Sequence, residues 1–282
     1  MEIRINNVTH IYNEHTLFEE TALEDVNLSL DEKGIIGIIG KSGSGKSTLI
    51  QLLNALIVPS YGNVEIADFD IKKNMKVKNI NDLRRKVGLV FQFPEEQFFN
   101  PTVREEVSFA LKYFRYKNDR IHKQVSEALT MVGLNDSYLE RNVFELSSGE
   151  QRMIAIASVM VFNPKIIILD EPTAGLDYRN KKKFMNLARR LRDRYNKTVI
   201  IVTHDVDMLN VIADHIVALD NGKIVLSGSK NEVFKNATLL HKHGLRVPKI
   251  VEFTGKVITE KGVILGRHTD VKDLIKDIYR NV

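Results

Sequence analysis

The sequence predicts an α/β fold, a mixed sheet with flanking helices, and three observations carry the prediction. Short runs rich in Ile and Val, at 35–39, 166–169 and 199–202, have strand length and no polar face, as expected of strands covered on both sides. Longer amphipathic segments separate them, in the alternation of strand–helix–strand units. The first of these runs ends in a glycine-rich turn, and an apolar pattern at 48–56 behind it reads as a buried helix.

Composition sets the outer bounds. Of 282 residues, 43% are hydrophobic and 27% charged, enough apolar material to bury a sizeable core. The chain has no cysteine, which excludes disulfides and thiolate metal sites and fits a reducing compartment. The first ten residues hold no apolar run, so no secretory leader is expected. No apolar stretch approaches the roughly 20 residues of a membrane span, so the chain is not expected to cross a bilayer. Net charge is +5, but the basic residues are scattered, apart from Lys181, Lys182 and Lys183 and a helical stretch with Arg189, Arg190, Arg192 and Arg194. That pattern reads as a solvated surface, and no nucleic-acid partner is expected.

The elements follow in order. Residues 3–12 and 26–30 alternate apolar and polar side chains and read as antiparallel strands, an N-terminal β-subdomain. Residues 87–91 read as another strand. From 92 to 162 no strong strand candidate appears, and the segment reads as a helical insertion. After 234 the pattern loosens. The expected division is a main domain over 1–236 and a small, mainly helical extension over 237–282.

Gly40, Lys41, Ser42, Gly43, Ser44, Gly45, Lys46 and Ser47, followed by Thr48, match the P-loop pattern between strand and helix. The glycines let the backbone turn successive N–H groups toward one phosphate, and the helix N-terminus adds partial positive charge. Lys46 is placed to reach the β- and γ-phosphates, and the Ser47 hydroxyl to ligate Mg²⁺. Asp170 and Glu171 end the buried run at 166–169. Asp170 is the expected metal partner, and Glu171 the expected base or positioner for an attacking water; alternatively the two cap a helix starting near Pro172.

Leu146, Ser147, Ser148, Gly149, Glu150, Gln151 and Arg152 resemble the signature motif of ABC ATPases. Ala174 to Asp177 resembles the D-loop of that family, His204 its switch histidine, and Gln92 the glutamine that opens its helical subdomain. Tyr12 resembles the aromatic residue on which adenine stacks. The resemblance covers about 235 residues and implies an ATPase that uses ATP and Mg²⁺. It implies catalytic roles for Glu171, His204 and Gln92, and metal contacts from Ser47, Gln92 and Asp170. It also implies that Ser147, Ser148, Gly149 and Glu150 complete the ATP site of a partner chain, with Ser147 Oγ–H and Gly149 N–H donating from a helix beginning near Glu150. Two residues depart from the pattern, Ser148 for the first glycine and Glu150 for glutamine. A carboxylate at 150 is expected to slow the site it completes.

The run Gly88 to Gln97 is similar to that of the ATPases of energy-coupling factor (ECF) importers, and 16–27 and 247–250 resemble segments of their second ATPase type. This implies a heterodimer with a second related ATPase, bound to a multi-spanning membrane coupling subunit and a membrane subunit that binds a vitamin or metal ion. The chain would then be peripheral, on the cytoplasmic face. A short coupling helix would enter a groove beside Gln92. Among nearby aromatics, Phe91 is expected in the core, while Phe98 and Phe99 are open between core and groove. Other importers, or a soluble ATPase acting on ribosomes or DNA, are alternatives. One P-loop and no heptad run disfavour the soluble one. In ECF importers the C-terminal tail serves ATPase–ATPase contacts. His241, His243 and His268 match no compact ligand set and are read as surface residues.

Overall fold

The computed structural model describes residues 3–30, 33–75, 77–262, 265–266 and 271–281. A four-stranded antiparallel sheet is built from β1 (Ile3–Tyr12), β2 (Glu20–Leu30), β4 (Tyr61–Ile66) and β5 (Phe69–Ile71), in the order β2-β1-β4-β5. A six-stranded sheet is built from β3 (Ile35–Gly40), β6 (Val87–Val90), β7 (Ile166–Asp170), β8 (Thr198–Val202), β9 (His215–Asp220) and β10 (Lys223–Ser229). Its order is β10-β9-β3-β8-β7-β6, with only β10 antiparallel to its neighbour.

The apolar runs of the sequence are buried because both faces of this sheet are covered. In β3, Ile35 and Ile39 join one core cluster while Ile36 and Ile38 join the other. The second cluster holds α1 (Lys46–Leu53), Leu83 of α2 (Val77–Lys86) and the inner faces of β1 and β4. The first holds α3 (Val103–Tyr113), α4 (Asn118–Val132) and α5 (Ser148–Met160), the three helices of the insertion. It also holds α6 (Tyr178–Asp193) and α7 (Val206–Ile212). Then come α8 (Lys230–Lys235), α9 (Ala237–Lys242), α10 (Lys249–Lys261) and α11 (Val271–Asn281). Leu240, Leu245 and Val247 reach back into the first cluster, so the start of the C-terminal segment packs on the main core.

Several expected boundaries move. The second strand begins at Glu20 rather than 26, because its first half pairs with His10, Ile11 and Tyr12. The helix behind the glycine turn starts at Lys46 and ends at Leu53, where Ala55 turns left-handed at φ 51°. Phe91 is not in the core: β6 ends at Val90, so Phe91 lies past the alternation that buries its neighbours and is exposed. Phe99 is exposed too, whereas Phe98 packs against the core.

Parallel pairing explains where the site forms. β3, β6, β7, β8 and β9 all run the same way, so the segments after them meet along one edge. Ligands of open α/β sheets bind at that edge.

Candidate nucleotide site

A cleft of about 470 Å³ lies along this edge. Its walls include Tyr12, Ser42, Gly43, Gly45, Lys46, Ser47, Thr48, Gln92, Asp170, Glu171 and His204, so five distant segments of sequence converge. Gly40 and Lys41 line an adjoining cavity of about 300 Å³ that shares Ser42 and His204 with the cleft. Ser44 is buried beneath the loop, and its hydroxyl has no partner.

Lys46 opens α1 and is nearly enclosed. Its Nζ donates to the Gly40 carbonyl at 2.9 Å and the Lys41 carbonyl at 2.6 Å, which holds the side chain back along the loop. Burial lowers its pKa, and the charges of Glu171 and Asp170 act in the opposite direction. A site that keeps a desolvated ammonium over carbonyl oxygens is built to receive an anion.

Asp170 closes β7. Burial raises its pKa, as does the neighbouring Glu171, while Lys46 and His204 oppose the shift. A carboxyl whose folded pKa is raised stabilises the fold fully below its unfolded pKa, and that contribution is lost as pH rises through the folded value. Asp170→Asn is therefore expected to raise the melting temperature of the nucleotide-free, metal-free chain by a few degrees at pH 7. The gain should vanish in acid, where Asp170 itself is protonated; thermal unfolding across pH checks both.

Glu171 has φ 44°, in the left-handed region that costs a non-glycine residue about 1–3 kcal/mol. It is held there from several sides. Its N–H donates to the Val202 carbonyl at 2.8 Å. Its carboxylate accepts from Thr203 Oγ at 3.0 Å and from the His204 N–H at 3.1 Å, and His204 Nε2 stands 3.5 Å away. Glu171 lines the cleft, its carboxylate beside the residues after β8. Tyr12 stands at the cleft's far side, its hydroxyl 3.2 Å from Thr48 Oγ1 and its ring edge-to-face with His10 at 4.6 Å.

The ABC transporter family profile matches residues 23–174, more than half of the chain. The chain belongs to the ABC transporter family. Among curated relatives, the energy-coupling factor transporter ATP-binding protein EcfA2 of Caldanaerobacter subterraneus subsp. tengcongensis is 41% identical over 263 residues, covering 93% of this chain and 91% of that one. The EcfA2 of Streptococcus pyogenes serotype M28 is 37% identical over the full length of both. Among solved structures, cbiO1 of Clostridium perfringens, described as part of the ABC transporter complex cbiONQ, superposes with a TM-score of 0.75. It is 32% identical, over 90% of this chain and 98% of that one. The cassette MJ0796, solved as a dimer bound to ADP and Pi, gives 0.70 at 31% identity, over 81% of this chain and 98% of that one.

The segment 146–152, which resembles the ABC signature motif, lines none of this cleft and lies on the helical insertion. Its helix, α5, starts at Ser148 rather than near Glu150, with Ser147 as N-cap in a capping box. Glu150 Oε2 accepts from the Ser147 N–H at 3.0 Å and from Ser147 Oγ–H at 2.6 Å; Oε1 accepts from the Tyr138 hydroxyl at 2.8 Å. The Ser147 proton thus points back to Glu150 instead of outward, unlike the expected donor. Those bonds, Ser147 first and Tyr138 second, lower the Glu150 pKa and keep the charge on. Gly149 packs closely on α6: a Cβ there would lie 2.6 Å from Asn180 Oδ1, so the Asn180 side chain would have to shift.

The sequence reading missed part of the cleft. Glu20, Thr21, Ala22, Asn221 and Gly222 also line it. Gly222 N–H donates to Ser44 O, and its carbonyl accepts from Glu24 N–H at 3.0 Å, pinning the β9–β10 turn between P-loop and β2. The signal was present: Asn221-Gly222 between apolar runs is a strong hairpin mark, and both residues have positive φ. His243 also departs from the surface reading, because its Nδ1 lies 2.9 Å from Asp220 Oδ2, an acidic partner 23 residues away in sequence. His241 is exposed, and His268 lies outside the described residues.

Proposed function

We propose that this chain is the second-type ATPase of an energy-coupling factor importer, hydrolysing ATP to drive uptake of a vitamin or metal ion through membrane partners. The observation that carries the reading is the cleft that unites Lys46, Asp170, Glu171, Gln92 and His204, in a chain alike along its whole length to EcfA2 proteins.

On this reading adenine stacks on Tyr12, and the N–H groups of 40–48 hold the phosphates, with Lys46 exchanging two carbonyls for the β- and γ-phosphates. Ser47, Asp170 and Gln92 offer only oxygen donors, the set that suits Mg²⁺. Among the described residues there is no cluster of three His, Asp or Glu side chains placed to hold a metal. A Mg²⁺ ion held by those oxygen donors would neutralise phosphate charge. Glu171 accepts the proton of the attacking water while Thr203 and the His204 N–H fix its carboxylate, and His204 faces the γ-phosphate.

Ser147, Ser148, Gly149 and Glu150 meet the nucleotide of the second ATPase. Because Glu150 holds the Ser147 proton and its own charge, that second site is slowed. Glu150→Gln is expected to raise steady-state ATP turnover of the two-ATPase complex by about 2–5-fold, since an amide keeps the capping box without the charge. Unaltered turnover would remove the idea.

Beside Gln92, the exposed aromatics Phe91, Phe93 and Phe99, with Phe109 and Tyr113 one turn apart on α3, form the face for a short helix of the coupling subunit. Phe99 and Phe109 meet edge-to-face at 4.7 Å. Among the described residues no helix is long and apolar enough to cross a membrane. The likeness to ECF transporter ATP-binding proteins supports a peripheral place on the cytoplasmic face.

The test is purification of the tagged chain from detergent-solubilised membranes with every companion identified. A second related ATPase, a multi-spanning protein and a small substrate-binding membrane protein are expected. This chain alone with one permease would point to another importer class, and ribosomal or DNA-bound companions would overturn transport.

A further inference from the structure

Arg152 is 1% exposed, the largest side chain among those fully enclosed. It grips Glu95 with two parallel bonds, Nε to Oε2 and Nη2 to Oε1, each 2.7 Å. The rest of the guanidinium donates to main-chain carbonyls, Nη1 to Pro172 O at 2.9 Å and Nη2 to Ala174 O at 3.4 Å. One planar group therefore joins three separate segments. Glu95 lies in the short 3₁₀ turn that begins two residues after Gln92. Pro172 and Ala174 follow the strained Glu171. Arg152 itself rides on α5, five residues after Ser147.

Phe93 adds a handle on this junction. Its backbone is left-handed at φ 50°, its ring is exposed, and the ring centre is 5.8 Å from the Arg152 guanidinium carbon. The same ring borders Gly175, three residues beyond Pro172. A buried, bidentate arginine with four of its five N–H groups bonded is a rigid joint, because lysine matches neither its fork nor its plane. A strained residue such as Glu171 keeps its conformation only when its surroundings over-determine it. Thr203 and His204 fix its side chain, and Arg152 fixes the turn that leaves it.

We propose that Arg152 is a positioning residue: it makes the segment 93–97, the N-terminal turns of α5 and the turn 172–175 move as one body. Displacement of Phe93 then reaches the Glu171 carboxylate without passing through the nucleotide. The inference rests on the reading of Glu171 as the hydrolytic carboxylate. It assigns to Arg152 a contribution to turnover and not to ATP binding.

The experiment compares wild type, Arg152→Lys, Glu95→Gln and the double variant in the purified membrane complex, with Glu171→Gln as the inactive control. ATP turnover, KM for ATP and melting temperature are measured for each. Arg152→Lys is expected to lower kcat by about 10-fold or more, since small misplacements of a reacting group have effects of that size. KM should stay within about 3-fold and melting within a few degrees. Glu95→Gln should lower kcat less, and the double variant should be no worse than Arg152→Lys, as for two members of one joint. Unchanged kcat, a rise in KM with kcat intact, or additive losses would each overturn the proposal. So would a fall in melting temperature with normal activity in the folded fraction. If Arg152→Lys does not yield folded complex, Glu95→Gln decides, because it leaves the guanidinium its two carbonyls: an unchanged kcat there is equally fatal. A wild-type complex without ATPase activity would instead remove the hydrolytic reading itself.

Discussion

Replacing Glu171 by glutamine is expected to lower ATP turnover by roughly 100-fold or more, the range seen when a positioned acid–base group is lost. ATP binding should remain. The two variants differ by one atom and one charge, so the effect isolates basicity from shape. Glutamine can take the same place: its oxygen accepts the His204 N–H, and its amide meets Thr203 Oγ, which can accept in turn. The left-handed backbone at 171 is held by the Val202 carbonyl and is indifferent to the change. Single-turnover hydrolysis alongside equilibrium binding of ATP separates the two quantities. A loss of binding in proportion to turnover would mean that Glu171 serves affinity instead of chemistry.

Lys46→Ala is expected to act on the opposite quantity. Two phosphate contacts from one buried ammonium are charge-assisted bonds of about 1.5–3 kcal/mol each, so ATP affinity should fall by roughly 100-fold or more. The nucleotide-free fold should change little. Lys46 is desolvated there, which lowers its pKa, and its removal relieves that cost while freeing the carbonyls of Gly40 and Lys41, two residues that line the adjoining cavity. Isothermal titration with ATP, paired with thermal unfolding of the free chain, reads both effects. Normal affinity would show that the loop backbone alone holds the phosphates.

Legibility in the sequence followed the range of the interactions. The P-loop and the Asp170–Glu171 strand end were readable because glycine spacing, an apolar strand and a helix are all local. The insertion was readable from the absence of strand pattern between 92 and 162, and α3, α4 and α5 occupy it. The β9–β10 hairpin carried its Asn221-Gly222 mark and was overlooked, as was the Ser147–Glu150 capping box, whose serine and glutamate stand three apart. By contrast, β4 and β5 turn through Ala67 and Asp68, both left-handed, with no glycine to announce the turn. The Arg152–Glu95 pair joins residues 57 apart, and only the packing of α5 against the 3₁₀ turn brings them together. Phe91 misled for a related reason. Its neighbours alternate as a strand, but pairing with β7 stops at Val90, one residue short.

The same distinction bears on the signature segment. Glu150 read as a misplaced charge when only its proximity to a phosphate was weighed. In the structure both its oxygens are engaged, by Ser147 and by Tyr138, so the charge is structural as well as electrostatic. On the proposed reading, its effect on the partner's site would act partly through the Ser147 proton, which it keeps.

Uptake into proteoliposomes is the most direct measurement. The recovered complex would be reconstituted with ATP on the side of the ATPases, and the vitamin or metal ion bound by its small membrane subunit would be supplied on the other. Accumulation that needs ATP, and that stops when this chain alone carries Glu171→Gln, is expected. Accumulation without ATP, or at full rate with the variant, would overturn the assignment of this chain as the motor.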